Sequence, residues 1–245
     1  MSGNENGKRG PANRLSRFSL GSLLILVTAG AIWMAVISNR AHRLREVRDA
    51  LLSSGADLGY DYEYDGLSRV VDARPPVPRW IRDWIGEEYF VDIVNVSFQS
   101  VENATSADLE PIRDLKSVRR IDIDYTSIDD ISAIAGQTGL QWLDLEESGV
   151  DSGDLVHLES LNSLSRLILT RNAISDEGLE VVADMSELVD LRLNETQVTD
   201  ESLVHFQNLK KLRELDLEQT NVTADGVRWL QAKIPGCEIN WDGAQ

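Results

Sequence analysis

The 245-residue sequence has one cysteine, Cys237. No intramolecular disulfide can form, which excludes a disulfide framework and disulfide-framed end caps. Histidine is nearly as scarce, with only His42, His157 and His205. No His-Glu-x-x-His, Cys-x-x-Cys, Gly-rich phosphate loop or nucleophile elbow occurs, so the familiar zinc, phosphate and acyl-transfer chemistries have no support. The sequence points to no enzyme and to no cofactor. Basic residues are also few beyond the N-terminus. Residues 1–50 hold eight Lys or Arg and three acids, whereas the remainder holds 16 basic and 38 acidic residues. A domain that acidic is a poor nucleic-acid partner, because phosphate contacts need a basic face.

What the sequence does have begins with one long apolar run. Phe18–Ile37 is uncharged, and twenty residues at helical rise span roughly 30 Å, the thickness of a bilayer's hydrocarbon core. Residues 1–17 are polar and basic and read as a disordered tail. Residues 18–38 read as a transmembrane signal anchor. Cleavage after Ala29-Gly30-Ala31 is the lesser alternative, since the apolar run continues past it. A prepilin-type leader is set aside, because Arg17 and Ser22 stand where glycine and glutamate are wanted. Four basic residues flank the run on each side, so charge does not orient it; the long C-terminal part is expected outside the cytoplasm. Ala41, Leu44, Val47 and Leu51 follow at helical spacing. Residues 39–55 therefore read as a juxtamembrane helix, lying on lipid headgroups or pairing with a copy of itself.

The rest is dominated by a repeat. Leu140-x-x-Leu143-x-Leu145 recurs at Leu164, Leu188 and Leu212, each interval being 24 residues. A small polar residue follows in each block (Ser148, Asn172, Thr196, Thr220), then Val150, Ile174, Val198 and Val222. Two degenerate copies precede, starting at Val91 and Val118, and Ile234–Ile239 reads as a closing strand. Alternating leucines place one apolar strand face inward. Ser175, Thr199 and Thr223 suit helix N-caps, and the acids after them suit a helix N-terminus. One such unit cannot bury its leucines alone; stacked neighbours can. His157 and His205 fall two repeats apart, roughly 10 Å, too far to share a metal.

These four in-phase copies resemble the leucine-rich-repeat family, in its bacterial, N-terminally membrane-anchored form. The resemblance implies an α/β solenoid, with a curved parallel β-sheet on the concave side and short helices on the convex side. It implies protein-protein contact and no catalytic residues. Residues 91–245 are expected to form this domain and residues 56–90 its N-terminal cap. In that cap, Tyr60, Tyr62 and Tyr64 read as a strand with one aromatic face. Trp80, Ile81, Trp84 and Ile85 fall on one side of a short helix, either packed in the cap or exposed as an aromatic binding patch.

Strand positions pointing away from the core form columns. One reads Arg120, Trp142, Arg166, Asp190, Glu214. The next reads Asp122, Asp144, Ile168, Arg192, Asp216, and a third Asp124, Glu146, Thr170, Asn194, Glu218. Trp142 flanked by arginines has the composition of an interface hot spot. The expectation is a tethered scaffold that binds a protein partner through Arg120, Asp122, Asp124, Trp142, Asp144, Glu146, Arg166, Arg192, Glu214 and Asp216. Three other readings stand beside it: a solvated acidic face with Trp142 half covered by the arginine stems, a calcium site among Asp122, Asp124, Asp144 and Glu146, and a structural envelope protein that self-associates or packs on the cell wall.

Overall fold

A computed structural model describes residues 20–99, 101 and 103–243. The expected tail of residues 1–17 lies outside them, as do the first two residues of the apolar run. The chain divides into two compact units, Met1–Arg40 and Ala41–Gln245. Helix α1 (Leu20–Ser53) is long and apolar enough to cross a membrane, and its large apolar residues from Leu24 to Val36 are exposed.

The second unit is built on an eight-stranded sheet. Its strands are β1 (Asp57–Tyr60), β4 (Ile93–Ser97), β5 (Arg120–Asp122), β6 (Trp142–Asp144), β7 (Arg166–Ile168), β8 (Asp190–Arg192), β9 (Glu214–Asp216) and β10 (Glu238–Asn240). From β4 onward every neighbour is parallel and follows in chain order, the arrangement of a solenoid. Only β1 is antiparallel, and it covers the free edge of β4. A side hairpin joins β2 (Tyr64–Asp65) to β3 (Ser68–Arg69).

The leucines of the repeat are core. Leu143, Leu167, Leu191 and Leu215 stack in one column and are fully buried, as are Leu145, Leu169, Leu193 and Leu217. The return segments are mostly 3-10 turns, at Ser106–Asp114, Ser132–Ile134, Ser152–Leu158 and Leu179–Asp184. Only α3 (Leu203–Phe206) and α4 (Ala224–Lys233) are α-helical. Repeats this short leave room for one tight turn per layer rather than a full helix.

The first copy sits two residues later than its sequence suggests. Val96, not Val94, pairs with Ile121, so the motif is Ile93-x-x-Val96-x-Phe98, with Phe98 fully buried. A two-residue slip keeps the same side chains facing inward, so alternation alone does not detect it.

Two devices hold the stack. From the second repeat on, the polar residue after the strand returns a hydrogen bond to the carbonyl three back: Thr126 to Ile123, Ser148 to Leu145, Thr196 to Leu193 and Thr220 to Leu217. Asn172 does more. Its Nδ2 donates to Leu145 O at 2.6 Å and reaches Leu169 O, while its Oδ1 accepts from the amides of Ser148 and Gly149. The second device runs along the return turns. Asp176 accepts from both the amide and hydroxyl of Thr199, and Asp200 from both of Thr223. These acids were expected to serve their own helix N-termini; they reach across to the next repeat instead. Thr223 does cap α4 through the Gly226 amide, but Ser175 caps nothing and bonds Ser152. Gly226 is required there, since a Cβ would lie 2.1 Å from Asp200 Oδ1.

The residue just before each polar one has a left-handed backbone, yet none is glycine: Tyr125, Glu147, Arg171, Glu195 and Gln219, with φ between 48° and 57°. Such a conformation costs roughly 1–2 kcal/mol per residue. It is held because the first four donate their amides to the matching carbonyl of the next repeat, at 2.8–3.2 Å.

The N-terminal end departs furthest from expectation. The stripe Ala41, Val47 and Leu51 on α1 is buried against the repeats, with Leu44 partly so. It is neither a stalk lying on lipid nor a free dimer face. Glu88, nearly buried, receives Arg45 and Arg48 from this helix, and Ser54 donates to Asp108 at 2.6 Å. The tyrosines form no continuous strand: Asp61–Glu63 is a 3-10 turn between β1 and β2, and Tyr60 stacks on Tyr62 with 6.1 Å between centroids. Helix α2 (Arg79–Ile85) forms, but it adds nothing to the core: Trp80 and Trp84 are 69% and 79% exposed.

Candidate functional site

The sheet's outward face carries the expected columns in the expected register. Arg120 pairs with Trp142, Trp142 with Arg166, Arg166 with Asp190 and Asp190 with Glu214. Alongside runs the column Asp122, Asp144, Ile168, Arg192, Asp216. One-residue alternation on three-residue strands fixes both columns once the leucines are inward.

Trp142 is half-buried rather than standing free. The Arg120 guanidinium lies 3.8 Å from its ring centroid and that of Arg166 4.2 Å, so the indole is held between two cations. Each such contact contributes on the order of 0.5–1 kcal/mol where water has access. The arginines are themselves fixed. Arg120 Nε bonds Asp122 Oδ2 at 2.8 Å, and Arg166 Nε bonds Asp190 Oδ2 at 2.8 Å. Arg192 reaches the same Asp190 at 3.3 Å. The result is one continuous polar ladder from Asp122 to Arg192 with a tryptophan clamped inside it.

The acids divide into two kinds. Asp122, Asp124 and Asp190 are buried and each is held through at least one oxygen, Asp122 by Arg120, Asp124 by Gln99 at 3.0 Å and Asp190 by Arg166 and Arg192. They build the face more than they present it. Asp122 Oδ1 and the Trp142 indole nitrogen are both buried without a formed hydrogen bond. Burial raises the Asp122 carboxyl against the pull of Arg120. Asp144 is half-buried beside it and is pushed up to about 6, first by burial and further by the charges of Asp124, Asp122 and Glu146. Glu146 is tied to Tyr125 at 2.7 Å and Arg171 at 3.2 Å. Glu214 is exposed and Asp216 half-exposed, and no salt bridge reaches either among the described residues. Ile168 is buried between Asp144 and Arg192.

Of the four acids at this end, Asp122 turns one oxygen to Arg120, Asp124 one to Gln99, Glu146 one to Tyr125 and Arg171, and Asp144 accepts from the Glu146 amide. Among the described residues no cluster of three or more His, Cys, Asp or Glu is placed to hold a metal.

Asp144 gives a pH dependence with a definite sign. Its folded pKa of about 6 exceeds the unfolded value of 3.8, so between these pH values the folded state holds a proton that the unfolded state releases. Stability falls as pH rises from about 4 to about 6, then levels. Two units correspond to roughly 3 kcal/mol at full weight, and partial exposure reduces this to about 1 kcal/mol. Asp144→Asn should raise the urea midpoint at pH 7.5 and leave it unchanged at pH 4. An equal effect at both pH values would rule out titration as its cause.

Sequence reasoning missed Gln99, Tyr125 and Arg171, which complete the acidic end. Gln99 was lost with the two-residue slip; Tyr125 and Arg171 occupy the left-handed position, which no residue type announced.

Residues 157–183, one full repeat, match the family model described as Leucine Rich repeat. None of the curated proteins matches the sequence. Among solved structures, the chain is similar to an internalin (inlF) from Listeria monocytogenes at 26% identity, over 56% of this chain and 38% of that one, with a TM-score of 0.49. It is similar to internalin C2 of the same organism at 21% identity, over 62% of this chain and 74% of that one, TM-score 0.49. It is also similar to TLR13, solved as a complex with ssRNA13, at 21% identity over 61% of this chain and 21% of that one, TM-score 0.47. The chain thus spans only 38% of the length of the first of these.

Proposed function

We propose that this leucine-rich-repeat chain is a non-catalytic, membrane-tethered scaffold that binds a protein partner through the outward face of its sheet. The observation that carries the reading is the ladder from Asp122 to Arg192 around Trp142. A preorganised aromatic between fixed arginines loses little entropy on binding, which is what makes such residues hot spots. Beside it, Glu214 and Asp216 offer negative charge that no salt bridge neutralises among the described residues, which favours a basic protein surface over nucleic acid. The tether is α1, and the binding part is expected outside the cytoplasm. Calcium at the acidic end is not favoured, because the carboxylates there turn to different protein groups and among the described residues no three converge on one point.

The alternative is an envelope protein whose repeats pack laterally with copies of itself or against the cell wall; the stripe Ala41, Val47 and Leu51 is buried within the chain and offers no surface to it.

The test is crosslinking and recovery of the partner from solubilised membranes. Glu214→Lys with Asp216→Lys reverses charge without touching a buried residue and should reduce recovery by about tenfold or more. Trp142→Ala should reduce it similarly, a loss of roughly 2 kcal/mol. Unchanged recovery with both variants, folded by circular dichroism, sinks the proposal.

A further inference from the structure

The most exposed aromatic surface of the repeat-bearing unit lies in none of the repeats. Trp80 and Trp84 stand one turn apart on α2, at i and i+4, so they share a face. They are 69% and 79% exposed, and Val71, in the same segment, is 87% exposed. Two indoles this open on a seven-residue helix have no folding role. The charge around them is equally out of keeping. Between residues 66 and 85 stand four arginines, Arg69, Arg74, Arg79 and Arg82, against two acids, Asp72 and Asp83, in a chain whose net charge is -17; Arg79 pairs with Asp83 along α2 at 3.5 Å, and Arg69 and Arg74 have no salt bridge among the described residues. Arg69, Arg74 and Arg79 are exposed.

The helix is also rigidly placed. Arg82 bonds Glu87 at 2.7 Å, and the next residue, Glu88, is gripped by Arg45 and Arg48 of α1. Gly86, which ends α2, packs against Arg45 so closely that a Cβ there would lie 3.0 Å from its guanidinium. Arg45 follows Ile37, the end of the apolar run, by only eight residues, a span of at most about 28 Å even if fully extended.

We propose that the exposed face of α2 seats in the headgroup layer of an anionic lipid bilayer, as a second membrane contact beside the tether. Indole rings favour that layer because one edge is apolar and the N–H is wet. Arginines beside them meet lipid phosphates, and the surrounding acidity of the domain confines attraction to this one face. The inference rests on the reading of α1 as a membrane tether. It assigns Trp80 and Trp84 to lipid and leaves the sheet face free for a protein.

The test uses the full chain reconstituted into vesicles of phosphatidylcholine with phosphatidylglycerol, in a Trp33→Phe background so that the apolar run is silent. Brominated lipids should quench tryptophan emission, and Trp80→Phe with Trp84→Phe should remove about half of that quenching or more. Arg74→Gln with Arg79→Gln should weaken it in anionic vesicles and change little in pure phosphatidylcholine. Flotation reads the tether separately. A chain that floats, with quenching indifferent to Trp80 and Trp84, overturns this contact and leaves the tether. A chain that fails to float overturns both. Concentration-dependent shielding of the two indoles from iodide without lipid would make the occupant a second copy, and would also overturn the proposal.

Discussion

Asn172→Ala is expected to destabilise the repeats by about 3–4 kcal/mol, since it strands several buried backbone groups at once. Asn172 is nearly buried and bridges two repeats, donating to Leu145 O and Leu169 O and accepting from the amides of Ser148 and Gly149. Alanine satisfies none of these. Its counterpart Ser148 makes one such bond to a carbonyl, so Ser148→Ala should cost about 1 kcal/mol. Urea unfolding of the full chain in mild detergent, followed by circular dichroism, measures both. If Asn172→Ala costs no more than Ser148→Ala, the asparagine is not a cross-repeat staple.

Leu51→Ala is expected to cost about 2–4 kcal/mol, the range for a fully buried leucine whose site cannot collapse. Leu51 is completely buried in the repeat core, while its neighbour Leu52 is 49% exposed. Leu52→Ala should therefore stay within about 0.5 kcal/mol. The pair separates two pictures of the helix after the apolar run. If that helix were a free stalk, both substitutions would be equally mild. Comparable midpoints for the two variants would exclude its role as a cap.

The repeats were legible because leucine recurs at a fixed interval and only stacking can bury it. The columns of the outward face were legible for the same reason: with Leu143 inward, Trp142 and Asp144 must point outward. Their electrostatics were not. Nothing in the sequence says that Arg120 turns back to Asp122, that Arg166 turns to Asp190, or that Asp144 ends between other carboxylates. Side-chain direction on a flat face is decided by neighbours one repeat away. The first copy was misread because Val91, Ile93, Val94 and Val96 are all apolar and two phases fit. The cap was half legible. The apolar stripe of Ala41, Leu44, Val47 and Leu51 was evident, but periodicity shows that a face is buried without showing against what. Trp80 and Trp84 misled in the opposite sense, because their helical spacing suggested packing and the helix leaves them in solvent.

The burial of that stripe bears on processing. A cut after Ala31 would remove the first part of the apolar run, leave residues 32–37, and keep Ala41, Val47, Leu51 and the Arg45–Glu88 and Arg48–Glu88 pairs on the chain. The repeats would then be shed with their closing helix attached and their first strand still covered. A cut between Arg48 and Ser54 would instead separate Val47 from Leu51 and disturb the core to which both belong. The fold thus divides one continuous helix into two regions, one whose removal leaves the buried stripe in place and one whose removal takes part of the core with it.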